Sequence, residues 1–131
     1  MTTAIICTAI LAAAVFLLGF NVSRMRGVQA KAGGPQLPTD PADRLLIAIR
    51  AHGNATEYVP TLIVLFLLVG ARSPAGVAIP LIVGATLSRL VHAFGMLSAT
   101  TLAARSPWRD AGAIGTYLFG VALAVATVFT L

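Results

Sequence analysis

Charge is what this chain has least of. Only 10% of its 131 residues are Asp, Glu, Lys or Arg, where a soluble domain carries roughly 25%, and its mean hydropathy is +0.93. That scarcity excludes a soluble globular domain and points to an integral membrane protein. Acids are scarcer than bases: four Asp and Glu against nine Lys and Arg leave a formal charge of +5. The basic residues bracket apolar runs and no soluble fold is left to present them, so the excess reads as membrane topology and not as nucleic-acid binding. The single cysteine, Cys7, excludes an intrachain disulfide and reads as a small buried hydrophobe. No carboxylate or cysteine completes a ligand set around His52 or His92, so no metal is expected. The first apolar segment contains no acid, which argues against a small four-helix multidrug exporter, whose coupling carboxylate lies in that helix.

What is present is apolar sequence, 58% of the chain. Spans of about 20 residues fit four times and leave only short loops, which predicts one all-α membrane domain over residues 1–131. The helices are expected at about 3–22, 41–70, 75–100 and 109–131. Arg24, Arg26 and Lys31 follow the first span and no charge precedes it, the reverse of a signal peptide. Gly33-Gly34-Pro35, Pro38 and Pro41 mark a loop, after which Asp40 is the expected N-cap and Pro41 the first residue of the second helix. Gly70 to Pro74 reads as a tight turn, and Arg105-Ser-Pro-Trp-Arg-Asp110 as the last connection, with Trp108 an interfacial anchor. Gly112, Thr116, Gly120 and Ala124 repeat every fourth residue, a pattern that lets helices approach closely within a bundle or an oligomer. Arg24, Arg26, Lys31, Arg44, Arg105 and Arg109 lie on one side against Arg72 on the other, so the positive-inside rule predicts both termini outside and the basic loops in the cytoplasm.

Polar residues interrupt the second helix. Arg50, Asn54 and Glu57 are spaced i, i+4, i+7 and fall within about 60° of one another on a helical wheel. Ionisable groups at membrane depth cost about 2.5–3.5 kcal/mol each on insertion scales and usually face a bundle interior. In the third helix Arg89, His92 and Met96 share a face. All these residues belong to the ends of helices expected on the cytoplasmic side, where they can converge. Cations outnumber the one acid, Glu57, so the constellation suits a carboxylate-bearing, zwitterionic metabolite gripped by arginines. The bland alternatives stay open: a structural network locking the helices, Arg89 paired with Glu57, a packing role for His92 and His52, and an interfacial role for Tyr58.

Arg50-Ala-His-x-Asn54-x-x-Glu57-Tyr58-x-Pro60 resembles the second-helix signature of the membrane-associated proteins in eicosanoid and glutathione metabolism (MAPEG). Arg24-Met-Arg26, Arg89-Leu-Val-His92 and Arg105-x-Pro107-x-Arg109 resemble the family's other helix-end motifs, so the likeness covers nearly the whole chain. The resemblance implies a four-helix subunit of a homotrimer, with glutathione as co-substrate between subunits near the cytoplasmic face. It implies glutathione binding by Arg50, Asn54, Glu57, Tyr58, Arg89 and His92, with Arg24 or Arg26 from the first helix. Arg109 matches the arginine that stabilises the thiolate, making it the catalytic candidate, and Arg105, Asp110 and Tyr117 are further candidates. Asp110 stands where some members have serine, and Met96 and Ala113 stand where some have tyrosine. The function implied is a transferase or peroxidase directing the thiol at lipophilic electrophiles or hydroperoxides from the bilayer. The alternative is a non-catalytic protein that binds glutathione or lipid.

Overall fold

The computed structural model describes residues 1–129 as four helices: α1 (Thr2–Lys31), α2 (Arg44–Arg72), α3 (Ala75–Leu97) and α4 (Pro107–Val128). All four are long and apolar enough to cross a membrane, and the described residues contain no strand. The expected reach of the fourth helix to Leu131 lies, in Thr130 and Leu131, outside the described residues.

The helix ends differ from expectation wherever local capping chemistry decides. Between Val22 and the Gly33-Gly34 pair only the single Gly27 weakens the helix and no proline intervenes, so α1 runs on to Lys31 and carries Arg24 and Arg26 on its surface instead of in a loop. It stops in a Schellman motif: Gly34 N–H donates to the Gln29 carbonyl (3.0 Å), Gly33 N–H to that of Ala30 (3.1 Å), and Gly33 takes φ +68°. At 1.5 Å per residue, α1 is about 45 Å long against about 30 Å of hydrocarbon, so its basic end projects from the membrane. Asp40 is not the cap of α2. It sits at the start of a turn in which its side chain accepts from Ala42 N–H (2.8 Å) and its carbonyl from Asp43 N–H (2.9 Å), with Pro41 outside the helix. Asp43 is the cap, accepting from the amides of Leu45 (2.7 Å) and Leu46 (3.3 Å). The α2–α3 connection is only Ser73–Pro74. α3 ends at Leu97, short of residue 100. Ser106 caps α4 with Pro107 at its first position, so Trp108 and Arg109 lie in the first turn of the helix and not in the connection.

α2 and α3 form the centre, with α1 on one side and α4 on the other; α1 and α4 do not touch. The core is aliphatic, with Leu11, Ile47, Phe66, Ile82 and Leu123 fully buried, while Phe16, Leu17, Leu118 and Val121 point outward, as suits a lipid-facing surface. The four-residue stripe on α4 packs mainly within the chain's own bundle. A Cβ at Gly112 would meet His92 Cα at 2.6 Å, Thr116 is buried, a Cβ at Gly120 would lie 3.9 Å from Leu62, and Ala124 alone is exposed. Reciprocally, a Cβ at Gly95 would meet the Trp108 carbonyl carbon at 2.8 Å. These two glycines bring α3 and α4 into near backbone contact where His92 and Arg109 sit.

Candidate functional site

The close α3–α4 approach sets the first part of the site. His92 is buried, and its Nδ1 lies 2.9 Å from the Arg109 main-chain oxygen. A carbonyl only accepts, so Nδ1 is the protonated nitrogen and Nε2 is free of that bond. The Arg109 side chain turns back over the 98–106 loop and donates to the carbonyls of Ala104 (2.7 Å) and Leu102 (3.4 Å). The loop is pinned in turn, because Leu102 N–H donates to the Pro41 carbonyl (2.8 Å) and Arg44 Nη1 to that of Ala99 (3.1 Å). Asp110 pairs with Arg105 at 3.1 Å, the two side chains 38% and 92% exposed. Its charge is matched at the surface.

One turn along α3, Arg89 is only 4% exposed. Its Nη2 donates to Asn54 Oδ1 at 2.7 Å and its guanidinium lies 5.2 Å from the centre of the Tyr58 ring. The Tyr58 ring is 6.0 Å from that of Tyr117, tilted by 53°. Three helices thus meet in one polar cluster, with α2 supplying Asn54 and Tyr58, α3 Arg89, and α4 Tyr117. Arg89 takes Asn54 as its partner, not Glu57, which settles one of the open alternatives. Its Nε is buried with no hydrogen-bond partner, the kind of orphaned donor that functional sites contain.

Arg50 and Glu57 sit on the outer side of the same α2 face. Both are exposed, and neither makes a hydrogen bond or an ion pair among the described residues. The sequence placed the trio on one face. The structure divides it, turning Asn54 inward to Arg89 and leaving the two charges outside. Arg24 is exposed and donates to Asn21 Oδ1 (2.9 Å), whereas the Arg26 side chain has no such bond. His52 packs over Gly19 of α1, its Nε2 3.2 Å from where a Cβ would be, as expected of a packing histidine. Met96 is buried and Ala113 half-buried beside the α3–α4 contact. No three His, Cys, Asp or Glu side chains come together among the described residues.

Two residues that the sequence did not single out as site residues, Asn21 and Arg44, line a cavity of about 450 Å3 with Arg24, Met25, Ile47, Ala48 and Leu97. Asn21 had a signal available, since it stands one turn before Arg24 on α1. Arg44 had none beyond its charge.

No curated protein matches the chain. The model of the MAPEG family matches residues 4–129, a span that includes α2, α3, α4 and all but the first two residues of α1. This family, which includes glutathione transferases and peroxidases, is the one to which the chain belongs.

Proposed function

We propose that the chain is a glutathione-dependent membrane enzyme, a transferase or peroxidase, whose thiolate attacks lipophilic electrophiles or hydroperoxides arriving from the bilayer. One observation carries the reading. α2 presents an unpaired Arg50 and an unpaired Glu57 on its outer face, next to a buried Arg89 that is braced by Asn54 and has a donor to spare. Two carboxylates and an ammonium, which glutathione has, complement that set: the arginines take the carboxylates and Glu57 the ammonium. Left bare toward lipid, the two charges would be costly, by about 2.5–3.5 kcal/mol each on insertion scales. A neighbouring subunit covering this face removes that cost, which supports a homotrimer with the ligand between subunits and Arg24 or Arg26 reaching in from next door. The basic ends, and with them the site, face the cytoplasm on the same reading, with both termini outside.

Arg109 is the residue for the sulfur. A free thiol has a pKa of about 8.5 and a fixed cation nearby favours the thiolate. Two loop carbonyls hold the guanidinium and leave it further donors. Arg105 pairs with Asp110 at the surface, which lessens that acid's opposition to the thiolate. His92, oriented by the Arg109 carbonyl, and Tyr58 with Tyr117 would line the remaining side.

Titration calorimetry of the detergent-purified protein with glutathione, followed by difference absorbance in the thiolate band, tests the proposal. Glu57→Ala should abolish binding, and Arg109→Ala should retain binding while losing the thiolate signal. Absence of binding to the wild type at millimolar glutathione overturns the proposal. Binding without a thiolate band leaves a glutathione-binding protein with no catalysis.

A further inference from the structure

We propose that the groove between α1, α2 and the end of α3 binds an anionic amphiphile, its oxyanion head held by Arg24 and Arg44 and its chain laid on Met25, Ile47 and Leu97. The cavity, about 450 Å3, falls within the roughly 300–1,000 Å3 of small-molecule sites. Ile47 and Ala48 form a buried apolar floor, and the two arginines stand exposed at its rim. Each guanidinium is steadied by one bond, Arg24 to Asn21 Oδ1 (2.9 Å) and Arg44 to the Ala99 carbonyl (3.1 Å), which leaves the other donors of each fork available.

Neither arginine has a counter-ion among the described residues. The single ion pair among the described residues joins Arg105 to Asp110. The acid nearest in sequence, Asp43, is occupied by the amides of Leu45 and Leu46 and by Gln29 Nε2 (3.1 Å). Two cations without an acid, above an apolar floor, ask for an anion with a hydrocarbon tail. Position agrees with this. α1 has 30 residues where a span takes about 20, so Arg24 stands at headgroup level, where a lipid phosphate or a fatty-acid carboxylate is found. On α2, Arg44 and Ala48 point more than about 100° away from the mean direction of Arg50, Asn54 and Glu57, and Ile47 about 50° away. None of the groove's α2 residues is among those assigned to glutathione, and of its whole lining only Arg24 is a candidate for both. With Arg24 held here, Arg26 is the first-helix cation left to reach a neighbouring subunit.

The test is native mass spectrometry of the full-length protein in neutral detergent, titrated with phosphatidylglycerol, oleate, phosphatidylcholine and inorganic phosphate. Phosphatidylglycerol or oleate should bind at least about tenfold more tightly than phosphatidylcholine, with Arg24→Gln and Arg44→Gln each weakening it about fivefold. Preference for phosphatidylglycerol identifies a leaflet lipid, preference for oleate a free acid, and parity a general oxyanion head. Arg44→Gln also frees the 98–106 loop, so Arg24→Gln, whose one side-chain bond is to Asn21, carries the test should the other variant not fold. Glu57→Ala should keep lipid binding unchanged. Equal binding of phosphatidylcholine, an affinity unmoved by Arg24→Gln, or inorganic phosphate binding as tightly as the lipids overturns the proposal.

Discussion

Replacing Asn54 by alanine separates the braced part of the polar cluster, Arg89, from its exposed and unpaired charges. Arg89 is 4% exposed, its Nε has no partner, and its hydrogen bond is the 2.7 Å contact to Asn54 Oδ1. Asn54→Ala leaves a buried guanidinium with only the Tyr58 ring, 5.2 Å away, to stabilise it. A hydrogen bond to a charged group contributes about 1.5–3 kcal/mol in water-soluble proteins, and polar contacts between membrane helices average about 0.6 and reach about 1.7 kcal/mol. Burial of the full charge puts this contact near the upper membrane figure. Alanine recovers about 0.5 kcal/mol through its better helix propensity, so a net loss of about 1–1.5 kcal/mol is expected. At about 2.1 cal/mol/K of unfolding entropy per residue, that is a fall in Tm of about 4–5 °C. Asn54→Asp, which offers a charged acceptor in the same place, should melt at or above the wild type. Glu57→Ala, which removes an exposed and unpartnered carboxylate, should leave Tm unchanged or raise it. The measurement is thermal unfolding of purified protein in detergent without glutathione. The reasoning is refuted if Asn54→Ala melts no lower than Glu57→Ala.

Gly112→Ala places a methyl group 2.6 Å from His92 Cα; over-packing of this kind costs about 1–3 kcal/mol. It should also part α3 from α4, weaken the bond from His92 Nδ1 to the Arg109 carbonyl and, on the function proposed above, reduce glutathione turnover more than glutathione affinity, as steady-state kinetics would report. Asp43→Ala removes the acceptor for the Leu45 and Leu46 amides and should lower stability by about 1 kcal/mol in the same melting assay, with Asp43→Ser recovering most of it.

How much of this protein its sequence discloses depends on the range of the interaction concerned. Four membrane helices follow from apolar runs too long to be anything else, and the identity of the family from blocks such as Arg50 to Pro60 whose spacing is read along one helix. Helix ends were legible only in part. α1 runs to Lys31 because the isolated Gly27 does not stop it while the Gly33-Gly34 pair does, and α2 starts at Arg44 because Asp43 outcompetes Asp40 as a cap. Both outcomes are local, but they turn on a competition between neighbouring residues that spacing does not resolve.

Side-chain partners at the site were not legible, because they join residues far apart in sequence. That Arg89 would choose Asn54 over Glu57 depends on how α2 is rotated against α3. That Arg105 would neutralise Asp110 depends on the turn of the loop before α4. The groove of Arg24 and Arg44 exists because an overlong α1 passes the start of α2 and the end of α3. Composition and periodicity by themselves determined that the chain is a four-helix membrane protein, because transfer from water to lipid is a sum over residues taken in order. Only the tertiary structure decided which charges are paired and which are left free, because a hydrogen bond is lost over an ångström or so, a precision that only packed helices impose.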